Sequence, residues 1–389
     1  MKKFLALFFA LERDLIVGGQ AVMEGVMMRT PNAYAIACRK SDGTIVHTAE
    51  ELPKWSDKYK ILDIPVLRGG ATLIQSLALG IKALNYSANI AQQDMDEQEA
   101  REKVKGVETE AALVEGTLDE DFTKAPAKMT LPEETEDTSK SDKLKQSAST
   151  VGSIIFALGF NVLLFIFAPL VLTNVLFIGM NWAEAPLIAA DASWWTTVWA
   201  YTKEVKPESW VLFNLIDGLI RMIFFVTMIF SMSYLKDIHR VFQYHGAEHK
   251  TVFAWEKGLS LTVKNADVQQ RQHPRCGTSF LMVVMLVAIV LFSVINFEAM
   301  WMNFVVRIVL MPLVAGLSYE IIRYAAKKET SAVFKLITLP GIWLQNITTQ
   351  NPDGDQLEVA ITALKESLKF EPSEAENISA MEKDLEAAV

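Results

Sequence analysis

Four stretches of the chain stay apolar for longer than a helix of a globular core requires, and they alternate with segments dense in charge. No charged residue falls between Lys145 and Glu184, so residues 151–180 cover the ~20 positions that a bilayer demands of a helix. Residues 210–235 form a second run, interrupted by Asp217 and Arg221. Residues 276–297 carry no charge and give a third, and residues 302–319, with Arg307 inside, give a fourth.

Outside these runs the period changes. Residues 33–40 and 44–52 are rich in β-formers and are joined by Ser41-Asp42-Gly43, a hairpin signal. Residues 64–93 read as a helix, with Leu73, Leu77, Ile81 and Leu84 at helical spacing. Residues 94–147 lack apolar periodicity and are rich in Glu, Asp, Lys, Thr and Pro, the composition of a disordered linker. Further on, residues 355–358 have the form of a capping box. They open a helix whose Leu357, Ile361, Leu364 and Leu368 make one apolar stripe. That stripe needs a partner, either the N-terminal domain or another subunit. The start, MKKFLALFFALERD, has a short apolar run and no small-residue cleavage site, and reads as an amphipathic helix rather than a signal peptide.

The predicted fold is therefore mainly α: a four-helix polytopic membrane domain with a small α/β cytoplasmic N-terminal domain. Its parts are residues 1–93, the linker 94–147, the membrane domain 148–328 with a histidine-rich cytoplasmic segment at 236–279, and a C-terminal helix and tail at 329–389.

Charge refines this picture. The net charge of −9 is unevenly placed. Residues 94–147 hold 16 acids against 8 bases, and residues 351–389 hold 10 against 3. What remains is positive, which suits contact with anionic headgroups of a lipid bilayer and gives no reason to invoke nucleic acid. Lys236, Arg240, Lys250, Lys257, Lys264, Arg271 and Arg275 lie between the second and third runs, whereas the loop between the first two has only Lys203 and Lys206. By the positive-inside rule the protein is a multi-pass protein of the bacterial inner membrane with both termini cytoplasmic. Trp182, Trp194, Trp195, Trp199, Trp210 and Trp301 fall in or beside the outer loops, as an interfacial belt requires. Asp217 and Arg307 reach similar depth from the outer side, so an interhelical ion pair between them is expected, with Arg221 able to share Asp217 at i, i+4. Two cysteines, Cys38 and Cys276, are too few for a disulfide framework and fit a reducing compartment.

The sharpest chemical pattern is Tyr244-His245-Gly246-Ala247-Glu248-His249-Lys250. His245 and His249, at i, i+4, share a helical face beside Glu248. This is the inverted zincin arrangement H-x-x-E-H, in which two imidazoles hold Zn²⁺ and the glutamate acts as base on water. His273 and Cys276 return before the third run. Three readings follow. In a catalytic site, His245 and His249 hold the metal with a remote third ligand, for which Glu320 is at the right depth. In a structural site, His245, His249, His273 and Cys276 close a tetrahedral set. In the third, no metal binds and these groups hydrogen-bond at the headgroup boundary. His239 and His47 have no such companions. A second pattern, Gly18-Gly19-Gln20 through Arg29, lets backbone approach something closely, with Gln20, Glu24 and Arg29 as polar contacts. Its bland alternative is a tight connection into the hairpin.

GGQAVMEGVMMR, YHGAEHK, HPRCGTSF and TTQNPDGDQLEVAITAL, in this order, resemble the YqhQ-like family, a bacterial membrane family of unknown function labelled a predicted metal-dependent enzyme. The resemblance covers both halves of the chain outside residues 94–147 and the extreme C-terminus. It implies a purpose for Gln20, Glu24, Arg29, His245, Glu248, His249, His273, Arg275 and Cys276. The leading expectation is zinc-dependent hydrolysis at the cytoplasmic membrane face, with Glu248 as base and Gln20, Glu24, Arg29 and Arg275 toward substrate. The rival is a non-enzymatic membrane scaffold or assembly factor, its motifs structural and its C-terminal helix a contact to a second copy or a membrane-protein partner.

Overall fold

The computed structural model describes residues 17–52, 67–115, 159–184, 193–203, 206–274, 276–295, 300–326 and 332–371, with single positions at 156, 186 and 297. The amphipathic start and the linker beyond residue 115 lie outside the described residues. The chain divides into two compact units, residues 1–94 with 210–389, and residues 95–209. It is mostly helical, with a small antiparallel sheet near its N-terminus.

That sheet is a meander of β1 (Gly18–Val22), β2 (Gly25–Arg29), β3 (Ala33–Arg39) and β4 (Ile45–Glu51), in the order β1-β2-β3-β4. The expected hairpin is β3–β4, whose loop is closed by Asp42 Oδ1 accepting from the Thr44 amide at 2.9 Å. The glycine-rich motif is itself a hairpin rather than a connection into one. Its two-residue turn is Met23-Glu24, with Glu24 at φ 50°. A non-glycine residue there is costly, and three contacts hold it: both Glu24 carboxylate oxygens receive Arg240, and one also receives the Tyr244 hydroxyl at 3.2 Å.

Both faces of the sheet are covered, which is why β3 is buried along nearly its whole length instead of alternating. On one face, Val22, Met27, Ile36 and Cys38 pack on Leu79 and Ala83 of α1 (Leu67–Glu115). This helix runs well past residue 93. Its continuation is rich in Glu, with several Ala, residues that form helix on propensity alone without an apolar stripe.

The second unit holds an apolar helix, Gly159–Gly179, whose turn Leu163–Phe167 is π-helical before it continues as α2 (Ala168–Gly179). There follow β5 (Ala183–Glu184), α3 (Trp194–Lys203) and β6 (Lys206–Pro207), the two short strands pairing antiparallel. Trp194 and Trp195 stack at 3.6 Å and are exposed.

In the first unit come α4 (Trp210–Met232), α5 (Lys236–Glu256), α6 (Val263–Asp267), α7 (Gly277–Ser293), α8 (Met300–Ala326), α9 (Ala332–Thr348) and α10 (Gly354–Leu368). Among the described residues three helices are long and apolar enough to cross a membrane: Gly159–Gly179, α4 and the Val305–Ile322 part of α8. The third expected span is the shorter α7, of 17 residues. Asp217, buried on α4, pairs with Arg221 at 2.7 Å, and Arg307 instead donates to Asn214 at 3.4 Å. The same-helix partner wins because an i, i+4 pair needs no second helix to reach it. Arg307 is left to the amide one turn earlier.

The apolar stripe of α10 finds its partner within the chain. Leu357, Leu364 and Leu368 pack with Val26, Met28 and Ala37 of the sheet and with Tyr244, Val252 and Trp255 of α5. Its capping box begins two residues before the expected one: Asp353 is the N-cap, accepting from the Gln356 amide at 2.8 Å, and the Gln356 side chain accepts from the Asp353 amide at 3.0 Å. Aspartate at 353 wins over Asp355 because it precedes Gly354, the first helical residue. α9 is an unexpected element. Its Leu344, Gln345 and Thr348 are buried, while Leu336, Leu339 and Trp343 are exposed.

Candidate metal centre

Helix α5 carries the H-x-x-E-H pattern on the face turned toward β1 and α9. Burial increases along it, and the run from Gly246 to Val252 is enclosed. Gly246, between the two histidines, is needed because a Cβ there would lie 2.0 Å from the Gln350 carbonyl oxygen. The close approach is locked by the Gln350 amide donating to the Phe242 carbonyl at 2.8 Å. It delivers the carbonyl of Thr348 to His245.

The ring nitrogens fix the chemistry. His245 Nδ1 stands 2.8 Å from the Thr348 carbonyl oxygen, and His249 Nδ1 meets the carbonyl of Arg271. A carbonyl can only accept, so each Nδ1 carries the proton and each Nε2 presents its lone pair. His245 Nε2 lies 3.2 Å from Cys276 Sγ. His249 Nε2 is a buried side-chain nitrogen with no hydrogen-bond partner among the described residues. One ligand atom from each of His245, His249 and Cys276 falls within 4.8 Å of the other two. Donors of a tetrahedral zinc, at roughly 2.0–2.3 Å from the ion, stand about 3.3–3.7 Å apart. The donor set therefore fits such an ion, with one position open.

Cys276 is the N-cap of α7, where Thr278 donates its amide to the sulfur at 3.5 Å. Arg271 serves twice: its carbonyl holds His249 and its guanidinium donates to the Thr349 carbonyl at 3.1 Å. Lys250 ties α5 to α6 by donating to Asp267 at 2.6 and 3.0 Å.

Glu248 stands beside the triad. Its Oε2 is 3.6 Å from His249 Nε2 and 3.9 Å from His245 Nε2. The carboxylate lies close to the backbone of Gly19, whose polarity favours its charged form. A Cβ on Gly19 would come within 2.7 Å of Glu248 Cγ and 2.6 Å of the Met27 carbonyl oxygen. The second glycine of the motif is thus the space into which Glu248 fits. Burial pushes the Glu248 carboxyl above its ordinary range and pushes the His249 imidazole below its own. The neutral imidazole is the form that binds a metal.

A cavity of about 500 Å³ opens over these groups. Gln20, Arg29, His245, Glu248, His249 and Cys276 all line it. Arg29 donates to Ser76 Oγ at 3.0 Å, and burial lowers its affinity for the proton. His273 lines it too, while the remaining expected site residues stand elsewhere. His273 is near, its ring centroid 5.7 Å from that of His249, but its Nε2 faces Glu256 Oε2 at 3.2 Å. Gln345 of α9 clamps its backbone on both sides, at 2.7 and 2.9 Å. Glu24 serves the β1–β2 turn. Glu320, on α8, is not among the described groups that gather at the triad. Arg275 lies outside the described residues. Sequence reasoning missed the supporting carbonyls of Thr348 and Arg271, which have no side-chain signature. It also missed Gln345, whose only signal was a polar residue in an apolar run.

The family model described as "Protein of unknown function (DUF1385)" matches residues 64–370. The chain is similar to the "Uncharacterized protein YqhQ" of Bacillus subtilis (strain 168), at 30% identity over 362 residues, covering 92% of this chain and 94% of that protein. No solved structure matches it.

Proposed function

The chain belongs to the DUF1385 family of proteins of unknown function, and within it we propose a zinc-dependent hydrolase that works at the cytoplasmic face of the inner membrane. The observation that carries this reading is the pair of imidazoles whose Nδ1 atoms are tied to backbone carbonyls and whose Nε2 atoms turn to one thiol. Ligand imidazoles are oriented by such outer bonds. His245, His249 and Cys276 would hold the ion, and zinc there would supply Lewis acidity toward a substrate carbonyl or phosphoryl oxygen. Glu248 takes a proton from the attacking water and returns it to the leaving group. The missing side chain of Gly19 leaves the space that Glu248 occupies.

An open site is favoured over a closed four-ligand one because His273 is turned to Glu256. We place the protein in the membrane with four spans, the segment around Gly159–Gly179, α4, α7 and α8, and with both termini and α5 in the cytoplasm. Support comes from the placement of Lys and Arg and from the tryptophans of the outer loops. α7 covers about 25 Å at 1.5 Å per residue, close to the ~30 Å hydrocarbon core.

The test is metal analysis of detergent-purified protein together with turnover of a panel of ester and peptide substrates. Wild type is expected to hold one zinc per chain, His249→Ala to lose it, and Glu248→Gln to keep zinc and lose turnover. Turnover that survives Glu248→Gln would contradict the reading, and so would a wild-type protein without metal.

A further inference from the structure

The cavity beside the triad is walled by the edge strand of the sheet. Among the described residues β1 has a strand neighbour on one side only. Its residues Gly18, Gly19, Gln20 and Ala21 line the same cavity as His245, Glu248 and Cys276.

The register decides which backbone groups face that cavity. The Arg39 amide donates to the Glu24 carbonyl at 2.8 Å, so Glu24, and with it Val26 and Met28, turn their backbone groups toward β3. Gly25, Met27 and Arg29 then bond to β1, through Val22, Gln20 and Gly18. Gly19 and Ala21 are left pointing outward. The outward carbonyl of Gly19 and both outward groups of Ala21 therefore border the cavity next to the base.

One residue before Gly19, Gly18 is paired with Arg29 of β2. A Cβ built on Gly18 meets no atom of the described residues within 4 Å, and the Arg29 side chain lines the same cavity. Arg29 is half buried, bonds to Ser76 and, among the described residues, has no carboxylate partner. A partly desolvated cation without a counter-ion is a ready receptor for a carboxylate.

We propose that the substrate is an extended polypeptide segment that adds as a fifth strand to the free edge of β1, with a carboxylate of its own on Arg29. This deepens the hydrolase reading and rests on it. Strand addition supplies affinity through main-chain hydrogen bonds, and it would lay a peptide carbonyl beside the triad. Hydrolysis then consumes one water: a C–O bond forms, the C–N bond breaks, and the proton that Glu248 takes from water goes to the leaving amine.

The probe is a fluorescein-labelled β-prone heptapeptide with a free C-terminal carboxylate. Its variants are the C-terminal amide, the amide carrying one internal Glu, and peptides N-methylated at successive single positions. Binding to the zinc-loaded full chain in nanodiscs is read by anisotropy, and cleavage in the same samples by mass spectrometry. N-methylation is expected to abolish binding at every second position and to spare the others, because a strand bonds its neighbour through alternate residues. Amidation should weaken binding about tenfold, the scale of a charge-assisted bond, and Arg29→Gln should erase that difference. The internal Glu restores binding if a side chain serves Arg29, and fails to if the chain terminus does. Ala21→Pro removes an outward donor at an edge position that tolerates proline, and should lose binding with zinc content unchanged. Absence of peptide binding by a protein holding one zinc, or N-methylation without the two-residue period, would overturn the proposal and leave the metal centre standing. A protein without zinc would instead overturn the hydrolase reading.

Discussion

Substitution of the two adjacent glycines of β1 isolates the link between the N-terminal hairpin and the catalytic base. Neither Gly18 nor Gly19 uses a left-handed backbone, so alanine is conformationally allowed at both. At both it also gains about 0.4–1 kcal/mol by restricting the unfolded chain. The surroundings differ. A Cβ at 18 meets nothing within 4 Å, while one at 19 would stand 2.6 Å from the Met27 carbonyl oxygen and 2.7 Å from Glu248 Cγ. The carbonyl belongs to a paired strand and cannot retreat, so Glu248 must move. Overpacking of this kind costs about 1–3 kcal/mol. The shared backbone gain cancels when the two variants are compared, so Gly19→Ala should be less stable than Gly18→Ala by about 1–3 kcal/mol. Urea titration in mild detergent reads the difference. The same proteins give zinc content and turnover: Gly19→Ala should keep its zinc, because Glu248 is not a ligand, and lose most turnover. Equal stability and equal turnover in the two variants would refute the fit of Glu248 into the glycine gap.

Other outcomes follow from single contacts. Burial pushes the Cys38 thiol up from 9.0 to about 12. The native protein should therefore show one iodoacetamide-reactive thiol at pH 8, Cys276, and zinc should protect it. Two reactive thiols in the folded protein would contradict this. A raised thiol pKa gives stability that is complete below pH 9 and lost toward pH 12, so Cys38→Ala should flatten alkaline unfolding across that window. In the span, a double-mutant cycle for Asp217 and Arg221 should show coupling larger than one for Asp217 and Arg307, since only the first pair is in contact at 2.7 Å. Asp217→Asn alone should destabilise the protein by removing the carboxylate that Arg221 meets at 2.7 Å, and equal coupling in the two cycles would refute the assignment. Gly246→Ala should unfold α5 from the 348–352 turn, visible as loss of zinc and of proteolytic resistance together.

Much of this was legible in the sequence because the signals are periodic. Long apolar runs located α4, α7 and α8, and the β-rich runs flanking Ser41-Asp42-Gly43 located the β3–β4 hairpin. The i, i+4 spacing put His245 and His249 on one face. What stayed hidden depends on where elements turn. α9 carries Pro340 inside it and mixes apolar with polar residues, so neither period stood out. His273 follows the triad pattern in sequence, but Glu256 lies two turns beyond His249 on the same helix and captures it. Asp217 and Arg307 match in depth, and the nearer Arg221 takes the carboxylate. The Gly18-Gly19 pair showed that backbone comes close to something. Only the fold shows that the something is Glu248.

The central claim is that His245, His249 and Cys276 hold one zinc with a position left open, and zinc-edge X-ray absorption of the purified protein tests it most directly. The predicted shell has two nitrogens at about 2.0–2.1 Å, one sulfur at about 2.3 Å and one further light atom, with the sulfur lost in Cys276→Ser. A shell without sulfur, one completed by a third imidazole, or a protein that binds no zinc would contradict the account.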